Sequence, residues 1–337
     1  MTTYKEIKGQ TVETLTADPP AALAQGEMWY RSDSDLYKFG ASVQSWASGG
    51  TLPKPRTNMG SGGVTDAMWM AGGSGPPVVP GGPNVDQSFW YYNGASWSVN
   101  TPVPGNRVYC QEGVGIQDAF FLGHGLRATP PTGAESAVLE YSGSWSSAPC
   151  GNNRRYGAGF GTTAAAMVAG GSTWPNVWNT NSSNTWNGTS WTQEGTLPVG
   201  RNLDNASTGI ETAGFILGGN PGSLDLTSEW NGTAWSNDGA YPSVVQGSAC
   251  GGPISAAISV GGYAPSVTDQ AMQYNGSTWS SYGATLPIAC ANMGSAPNSQ
   301  AGALTSFAVY GGNAPPGAWD ETLELSESAG IKQVTTT

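Results

Sequence analysis

Short apolar runs alternate with glycine pairs along this chain, and the unit they form repeats. In its clearest copy, Arg56 to Val64 reads as a first strand, and Ala67-Met68-Trp69-Met70-Ala71 as a second ending at Gly72-Gly73. Ser88 to Tyr92 alternates as a third strand, Asn93-Gly94 turns the chain, and Trp97 lies on a fourth. Short apolar runs bounded by turn residues predict strands, and an Asn-Gly pair supplies the positive φ that a tight hairpin needs. The diglycine recurs at Gly123-His124-Gly125 (a degenerate copy), Gly170-Gly171, Gly218-Gly219, Gly261-Gly262 and Gly311-Gly312. The turn recurs at Asn187-Gly188, Asn231-Gly232 and Asn275-Gly276, with Ser142-Gly143 a shortened version. A tryptophan recurs on the last strand of each copy: Trp46, Trp97, Trp145, Trp191, Trp235 and Trp279, spaced 51, 48, 46, 44 and 44 residues apart. A period of about 40–50 residues with turn glycines and a repeated aromatic predicts an all-β, six-bladed β-propeller with four antiparallel strands per blade. The tryptophan is expected between adjacent blades, where a large rigid ring buries most area. The diglycine is expected where the chain leaves the second strand with positive φ.

The ends are permuted relative to the repeat. Trp46 precedes the first diglycine, and after the last one Glu321 to Ser326 supplies a third strand with no fourth to follow. Leu36 to Ser48 has the missing piece, so the N-terminal strand is expected to complete the last blade and close the ring, which removes exposed sheet edges. The expected organisation is an arm over residues 1–25, a propeller over 26–330 and a tail over 331–337.

Composition narrows the function. The net charge is −11 with no basic stripe, which makes nucleic acid and anionic membrane poor partners. Fourteen tryptophans argue against disorder despite the high glycine content. The N-terminal residues contain no apolar signal core, and no run of about 18 apolar residues exists to insert in a membrane. Cys110, Cys150, Cys250 and Cys290 form no CxxC pair, so buried free thiols are expected rather than a zinc site. The chain's one histidine, His124, does not suffice for a multi-imidazole centre, and no metal or cofactor is expected.

The diglycine, the following aromatic, the tryptophan and an arginine after Leu-Pro or Val-Pro (Arg56, Arg107, Arg201) resemble kelch repeats over residues 27–328. The chain departs from that pattern in its aromatic-Asn-Gly turns, in His124, and at Asn152, Val245 and Cys290, where the aligned arginine is absent. The stretch Asp18-Pro19-Pro20, Gly26-Glu27-Met28-Trp29-Tyr30-Arg31-Ser32-Asp33, Leu36-Tyr37-Lys38-Phe39 and Trp46 resembles a hairpin of bacteriophage tail and fibre proteins. Together these are similar to kelch-like virion proteins of marine and cyanobacterial phages. The resemblance implies a non-enzymatic virion component, a tail-fibre or adhesin-type propeller within a multimeric assembly. Its arm, through Tyr4, Ile7 and Leu15, would dock to other virion proteins, and its loops would meet a host-surface glycan or protein. Capsid decoration is an alternative role. Another is a carbohydrate-active enzyme of the glycosidase or lyase class.

Chemistry is sparse. A copper radical oxidase on a kelch scaffold needs two histidines, and no sialidase-type Asp box is present. A glycosidase needs two carboxyls converging within about 5–10 Å. Glu112, Asp118, Asp204 and Glu211 do not recur at matched positions and read as solvated loop acids. The loops between second and third strands vary most, and variable loops on a rigid scaffold carry binding. One contains Trp174, Asn176, Trp178 and Asn179, and another Trp319 and Asp320; Tyr263 opens a third. Tryptophan with amides and carboxylates suits a sugar; protein contact and packing onto the propeller are the other readings. His124, followed by Arg127, is placed at a loop mouth, either as a ligand contact or as a tolerated loop residue.

Overall fold

The computed structural model of the chain describes residues 12–21, 24, 26–75, 87–105, 107–108, 112–127, 133–134, 137–149, 154–173, 178–204, 206–222, 224–263, 265–296 and 306–334. Two compact units emerge: Trp46–Leu325, and a smaller one made of Met1–Ser45 with Ser326–Thr337. No helix among the described residues is long and apolar enough to cross a membrane.

In the larger unit, five four-stranded antiparallel meanders follow in chain order. Sheet I holds Gly60–Val64, Ala67–Ala71, Phe89–Tyr92 and Trp97–Val99. Sheet II holds Gly113–Ile116, Ala119–Leu122, Ala137–Tyr141 and Trp145–Pro149. Sheet III holds Ala158–Gly161, Ala166–Ala169, Ser182–Trp186 and Trp191–Thr196. Sheet IV holds Ser207–Ile210, Ala213–Leu217, Thr227–Trp230 and Trp235–Asp238. Sheet V holds Ala249–Gly251, Ala257–Val260, Ala271–Tyr274 and Trp279–Ser281. Sheet VI begins with Gly294–Ala296 and Ser306–Tyr310, followed by the strand Thr322–Gln333 and then Leu36–Ser48. Residues 322–325 and 46–48 of those last two strands belong to this unit.

Apolar clusters lie between consecutive sheets, because each sheet is apolar on both faces. Trp69 stacks on Phe120 between sheets I and II with ring centroids 3.7 Å apart. Phe121 and Val168 meet between II and III, Phe160 and Ile216 between III and IV, Phe215 and Met272 between IV and V. Ile258 and Phe307 meet between V and VI, and Met70 and Tyr310 between VI and I. Each such side chain contributes roughly 1.5–3 kcal/mol on burial. The first strands pack against one another in sequence, and Gly294–Ala296 lies against both Ala249–Gly251 and Gly60–Val64. That approach requires glycine: a Cβ on Gly113 would come within 2.0 Å of the Ser61 carbonyl oxygen. These strands line a cavity through Gly62, Val64, Ile116, Phe160 and Thr208.

The repeated tryptophans bridge sheets as expected. Nε1 of Trp97 donates to Thr322 (2.8 Å), that of Trp235 to Ser183 (3.1 Å) and that of Trp279 to Thr227 (2.8 Å), each on the preceding sheet. Trp46 and Trp145 donate to the carbonyls of Ala284 and Thr101. The diglycines take positive φ, 66° and 89° at Gly72 and Gly73 for example. Cys250 and Cys290 are buried free thiols, each pushed up to about 12 by burial; Cys110 and Cys150 lie outside the described residues.

Two expectations need correction. The first strand of sheet I starts at Gly60 rather than Arg56, because Asn58 adopts φ 54° and breaks the extended run. The arginine position assigned to Asn152 is occupied by Arg154. The next residue, Arg155, pairs with Ser172, as Thr57 pairs with Ser74 and Asn202 with Asn220.

In the smaller unit, Glu13–Leu15 runs parallel to Met28–Arg31, which pairs antiparallel with Leu36–Ser48. Asp18 holds this hairpin together. It accepts from Trp29 Nε1 (3.1 Å), Lys38 Nζ (2.7 Å) and Arg31 (2.8 Å). The Lys38 and Arg31 hydrogen bonds hold its carboxyl well below the usual range. Leu15 is half-buried in this unit, while Tyr4 and Ile7 lie outside the described residues.

Candidate functional site

Among the described residues, the chain makes a recurring bend at the entry to the first strands of sheets I, III, IV, V and VI. Two residues after Arg56, Arg154, Val245 and Cys290 stand Asn58, Tyr156, Gly247 and Asn292, with φ of 54°, 58°, 64° and 53°. Asp204, three residues after Arg201, takes φ 47°. Non-glycine residues in this region carry about 1–3 kcal/mol of strain, which persists only where surroundings over-determine it. Here they do. The Asn58 N–H donates to the Asn292 carbonyl (3.4 Å) and the Asn292 N–H to the Gly247 carbonyl (2.8 Å).

Buried arginines anchor the bends from below. Arg154 donates to Ser182 Oγ (3.0 Å) and Asn184 Oδ1 (2.9 Å), and Arg201 to Ser228 Oγ (2.9 Å). Arg56 reaches Ser88 and stacks 5.6 Å from the Trp90 centroid. Burial lowers the Arg201 guanidinium to about 10. These arginines are structural: each is buried and turns a terminal nitrogen to a side chain on or beside its own sheet, although Nε and Nη1 of Arg154 and Nε of Arg201 make no hydrogen bond.

Above the anchors opens a polar cavity of about 330 Å³, lined by Asn58, Tyr156, Trp178, Asn202, Asp204, Asn220, Gln246 and Asn292. Five are carboxamides and one is a carboxylate. Gln246 Nε2 donates to Asp204 Oδ2 (3.1 Å). Ser172 Oγ donates to Asn202 Oδ1 (2.8 Å) and the Gly222 N–H to Asn220 Oδ1 (2.9 Å). Both oxygens thereby have protein donors. Trp178 is 65% exposed on the rim. The Arg155 guanidinium lies 5.0 Å from its ring centroid and 5.2 Å from that of Tyr156, so one cation ties the two rings together.

Of the residues singled out from sequence, Trp178 lies at this cavity. Asn179 follows it with φ 66° and is half-buried; Trp174 and Asn176 lie outside the described residues. Trp319 packs against the cluster of Leu286, Phe307 and Leu323, which is the packing alternative. The Asp320 carbonyl accepts from the Leu52 N–H (2.7 Å). Tyr263 bridges to Gln246 through the backbone, and its hydroxyl accepts from Asn313 Nδ2 (3.5 Å). Arg127 pairs with Arg107 in a short side sheet. Asn58, Asn202, Asn220, Gln246 and Asn292 were missed. Their signal was present, because each falls at a fixed offset from an arginine position or a diglycine.

His124 and Glu112 require a further correction. His124 is completely buried rather than at a loop mouth, and its Nδ1 lies 2.7 Å from Glu112 Oε2. Glu112 is 2% exposed, not a solvated loop acid. It fills the position that Met59 fills in sheet I, while His124 fills that of Gly73. A Cβ on Gly73 would approach Met59 Cβ to 2.9 Å, so the two positions share one space. Burial alone would raise the Glu112 pKa; the charge and hydrogen bond of His124, with Arg154 nearby, outweigh it and hold the carboxyl below its usual value.

No protein-family profile matches the chain, and no curated protein matches it. Solved structures do. One, titled "Structure of YjhT", superposes with a TM-score of 0.63 at 13% identity, covering 84% of this chain and 99% of that one. At that identity the likeness shows the fold alone, a β-propeller-like all-β architecture.

Proposed function

We propose that the larger unit is a six-bladed kelch-like propeller closed by the N-terminal strand, and that the chain is a non-enzymatic bacteriophage virion protein that binds the host surface through the face carrying the polar cavity. Six inter-sheet apolar clusters, the last between sheets VI and I, support the blade count and the closure. The binding reading is carried by one observation: five carboxamides, a carboxylate and an exposed tryptophan converge on one cavity. Among its described lining residues Asp204 is the single carboxylate, whereas glycoside hydrolysis uses two; Glu112 is engaged by His124. This supports binding without turnover. The virion assignment rests on the hairpin sequence from Asp18 to Phe39, and the convergence of Trp29, Arg31 and Lys38 on Asp18 supports reading it as a folded module.

The test is adsorption competition. Purified protein added to host cells before the phage that encodes it should lower attachment in a dose-dependent manner. Absence of blocking, with the protein still present in purified particles, would transfer the assignment to capsid decoration or another structural role. Absence from purified particles would end the virion reading.

A further inference from the structure

We infer that the sheet of the smaller unit is a dimerisation surface: its apolar face packs on the same face of a second copy of this chain, about a two-fold axis that crosses the strands.

The hairpin sequence alternates, and its register turns that alternation into two faces. Met28 lies opposite Phe39, Trp29 opposite Lys38 and Tyr30 opposite Tyr37. Residues directly opposite one another share a face. One face therefore carries Trp29, Arg31 and Lys38, and Asp18 lies over it, accepting from all three. The other carries Met28, Tyr30, Tyr37 and Phe39, and continues along the same strand through Ala41 and Val43. The strand Thr322–Gln333 flanks it: the Val334 N–H donates to the Tyr37 carbonyl (2.9 Å) and Ser328 Oγ to that of Val43 (3.5 Å).

The polar face is thus the covered one. Among the described residues of this unit, Ala24 and Trp29 are the buried apolar side chains. Met28, Tyr30, Phe39 and Val43 are half-buried, while Tyr37 is 43% exposed and Val334 36%. A small sheet gains stability by packing an apolar face, and a contiguous apolar face left to solvent marks an interaction surface.

Two observations identify a second copy as the occupant. The first is charge. A net charge of −11 opposes self-association wherever carboxylates would meet. Within these strands Glu13 lies beside Trp29 in register and Glu327 accepts from Gln44, which places both carboxylates on the covered face. The apolar face carries Lys332 as its single ionised strand residue, and Asp35 at the turn accepts from the Tyr30 hydroxyl. Two copies therefore meet here with no strand carboxylate facing another.

The second is shape. The face is bulky at one end, with Tyr30, Tyr37 and Phe39, and small further along, where Ala41 lies beside Gly330. A Cβ on Gly330 would fall 2.1 Å from Val43 Cγ2, so glycine lets Val43 lean across the flanking strand. A two-fold axis passing between Phe39 and Ala41 sets Phe39 over the partner's Ala41 and Tyr37 over the partner's Val43. Large then meets small in both halves, as a self-complementary interface requires.

The experiment is analytical ultracentrifugation of the full chain. A mass of about 69 kDa, twice the 34.6 kDa of one chain, is expected at micromolar concentration. Tyr37→Lys and Val43→Glu should each raise the dimer dissociation constant at least about tenfold, with the circular dichroism spectrum unchanged. Mixing the two variants should restore a dimer. The introduced lysine then faces the introduced glutamate in one half of the interface, and the native contact remains in the other. A variant that had merely misfolded would not recover on mixing. A monomer throughout overturns the inference and gives the face to a different protein. A dimer that neither substitution weakens places the interface elsewhere and overturns it as well. A trimer, or single variants that dissociate without recovering together, overturns the two-fold arrangement. The adsorption assay tests the cavity face of the larger unit, so either conclusion can fall without the other.

Discussion

At one edge of the sheets, Asn93, Asn187, Asn231 and Asn275 perform the same act four times. Each side-chain Oδ1 accepts from the backbone N–H groups two and three residues on, at 2.8–3.1 Å. The following glycines have φ of 85°, 91°, 91° and 89°. At the opposite edge, positions 58, 156, 204, 247 and 292 share a left-handed backbone but carry Asn, Tyr, Asp, Gly and Asn. Both edges use positive φ, at the glycine after an asparagine in the turns and at Asn, Tyr, Asp or Gly in the bends. At the turn edge the side chain folds back to satisfy its own loop. At the cavity edge the bends at Asn58, Asn292 and Gly247 are tied to one another through the backbone, and the side chains of Asn58, Tyr156, Asp204 and Asn292 line the cavity. A fold can therefore keep a conformation fixed while the chemistry it displays varies.

The division extends to the tryptophans, and there the largest effects are expected. Trp235 is 8% exposed, donates to Ser183 on the preceding sheet and sits 5.5 Å from the Trp230 centroid. Trp235→Ala should cost about 3–5 kcal/mol, as for other large buried aromatics. Denaturant unfolding followed by circular dichroism reads it. A loss below about 1 kcal/mol would mean that the ring does not hold the two sheets together.

The next effect tests where the repeat departs from its own rule. His124→Ala leaves the Glu112 carboxylate buried without its partner and should cost about 3 kcal/mol. Glu112→Met combined with His124→Gly restores the pairing seen at Met59 and Gly73 and should recover most of that loss. The pH dependence has a definite sign. The folded Glu112 pKa is lowered, so its contribution is complete above the ordinary glutamate value of about 4.3 and is lost as pH falls below it. The double variant should show a flatter loss of stability on acidification. An unchanged acid limb would assign that limb to other carboxylates, Asp18 first among them.

The fold was legible because its signals are periodic. Six tryptophans, the diglycines and the Asn-Gly turns each recur at one structural position, so spacing alone sorted them into strands and sheets. The place of Leu36–Ser48 beside Thr322–Gln333 was legible for the same reason, since Trp46 is a tryptophan without its preceding strands. The cavity was less legible. Its residues recur in position but not in identity, and a search for repeated letters passes over Asn58, Tyr156, Asp204 and Asn292. Trp178 drew notice as an aromatic in a long loop. Trp319 drew the same notice and packs into the core, because sequence shows which residues could cover a surface and not which way a loop folds. Glu112 and His124 failed for a related reason: lone polar residues read as solvent-facing, whereas here each makes the other's burial tolerable.

The smallest effect sharpens the contrast between the edges most directly. Gly188 has φ 91°, and a Cβ there would meet only the Ala164 carbonyl oxygen, at 3.3 Å. Gly188→Ala therefore adds backbone strain and little else, about 1 kcal/mol, with blocking of phage attachment in the competition assay unchanged. Gly247 has φ 64°, and a Cβ there would fall 2.1 Å from Asn292 Oδ1. Gly247→Ala carries a similar backbone strain, about 1 kcal/mol, but it must also displace the amide of Asn292 from the cavity wall. Equal losses of stability with binding lost only in Gly247→Ala would show that the turn edge specifies the fold and the cavity edge the ligand. Equal loss of binding in both would mean that the cavity depends on the rigidity of the whole sheet rather than on the side chains that line it.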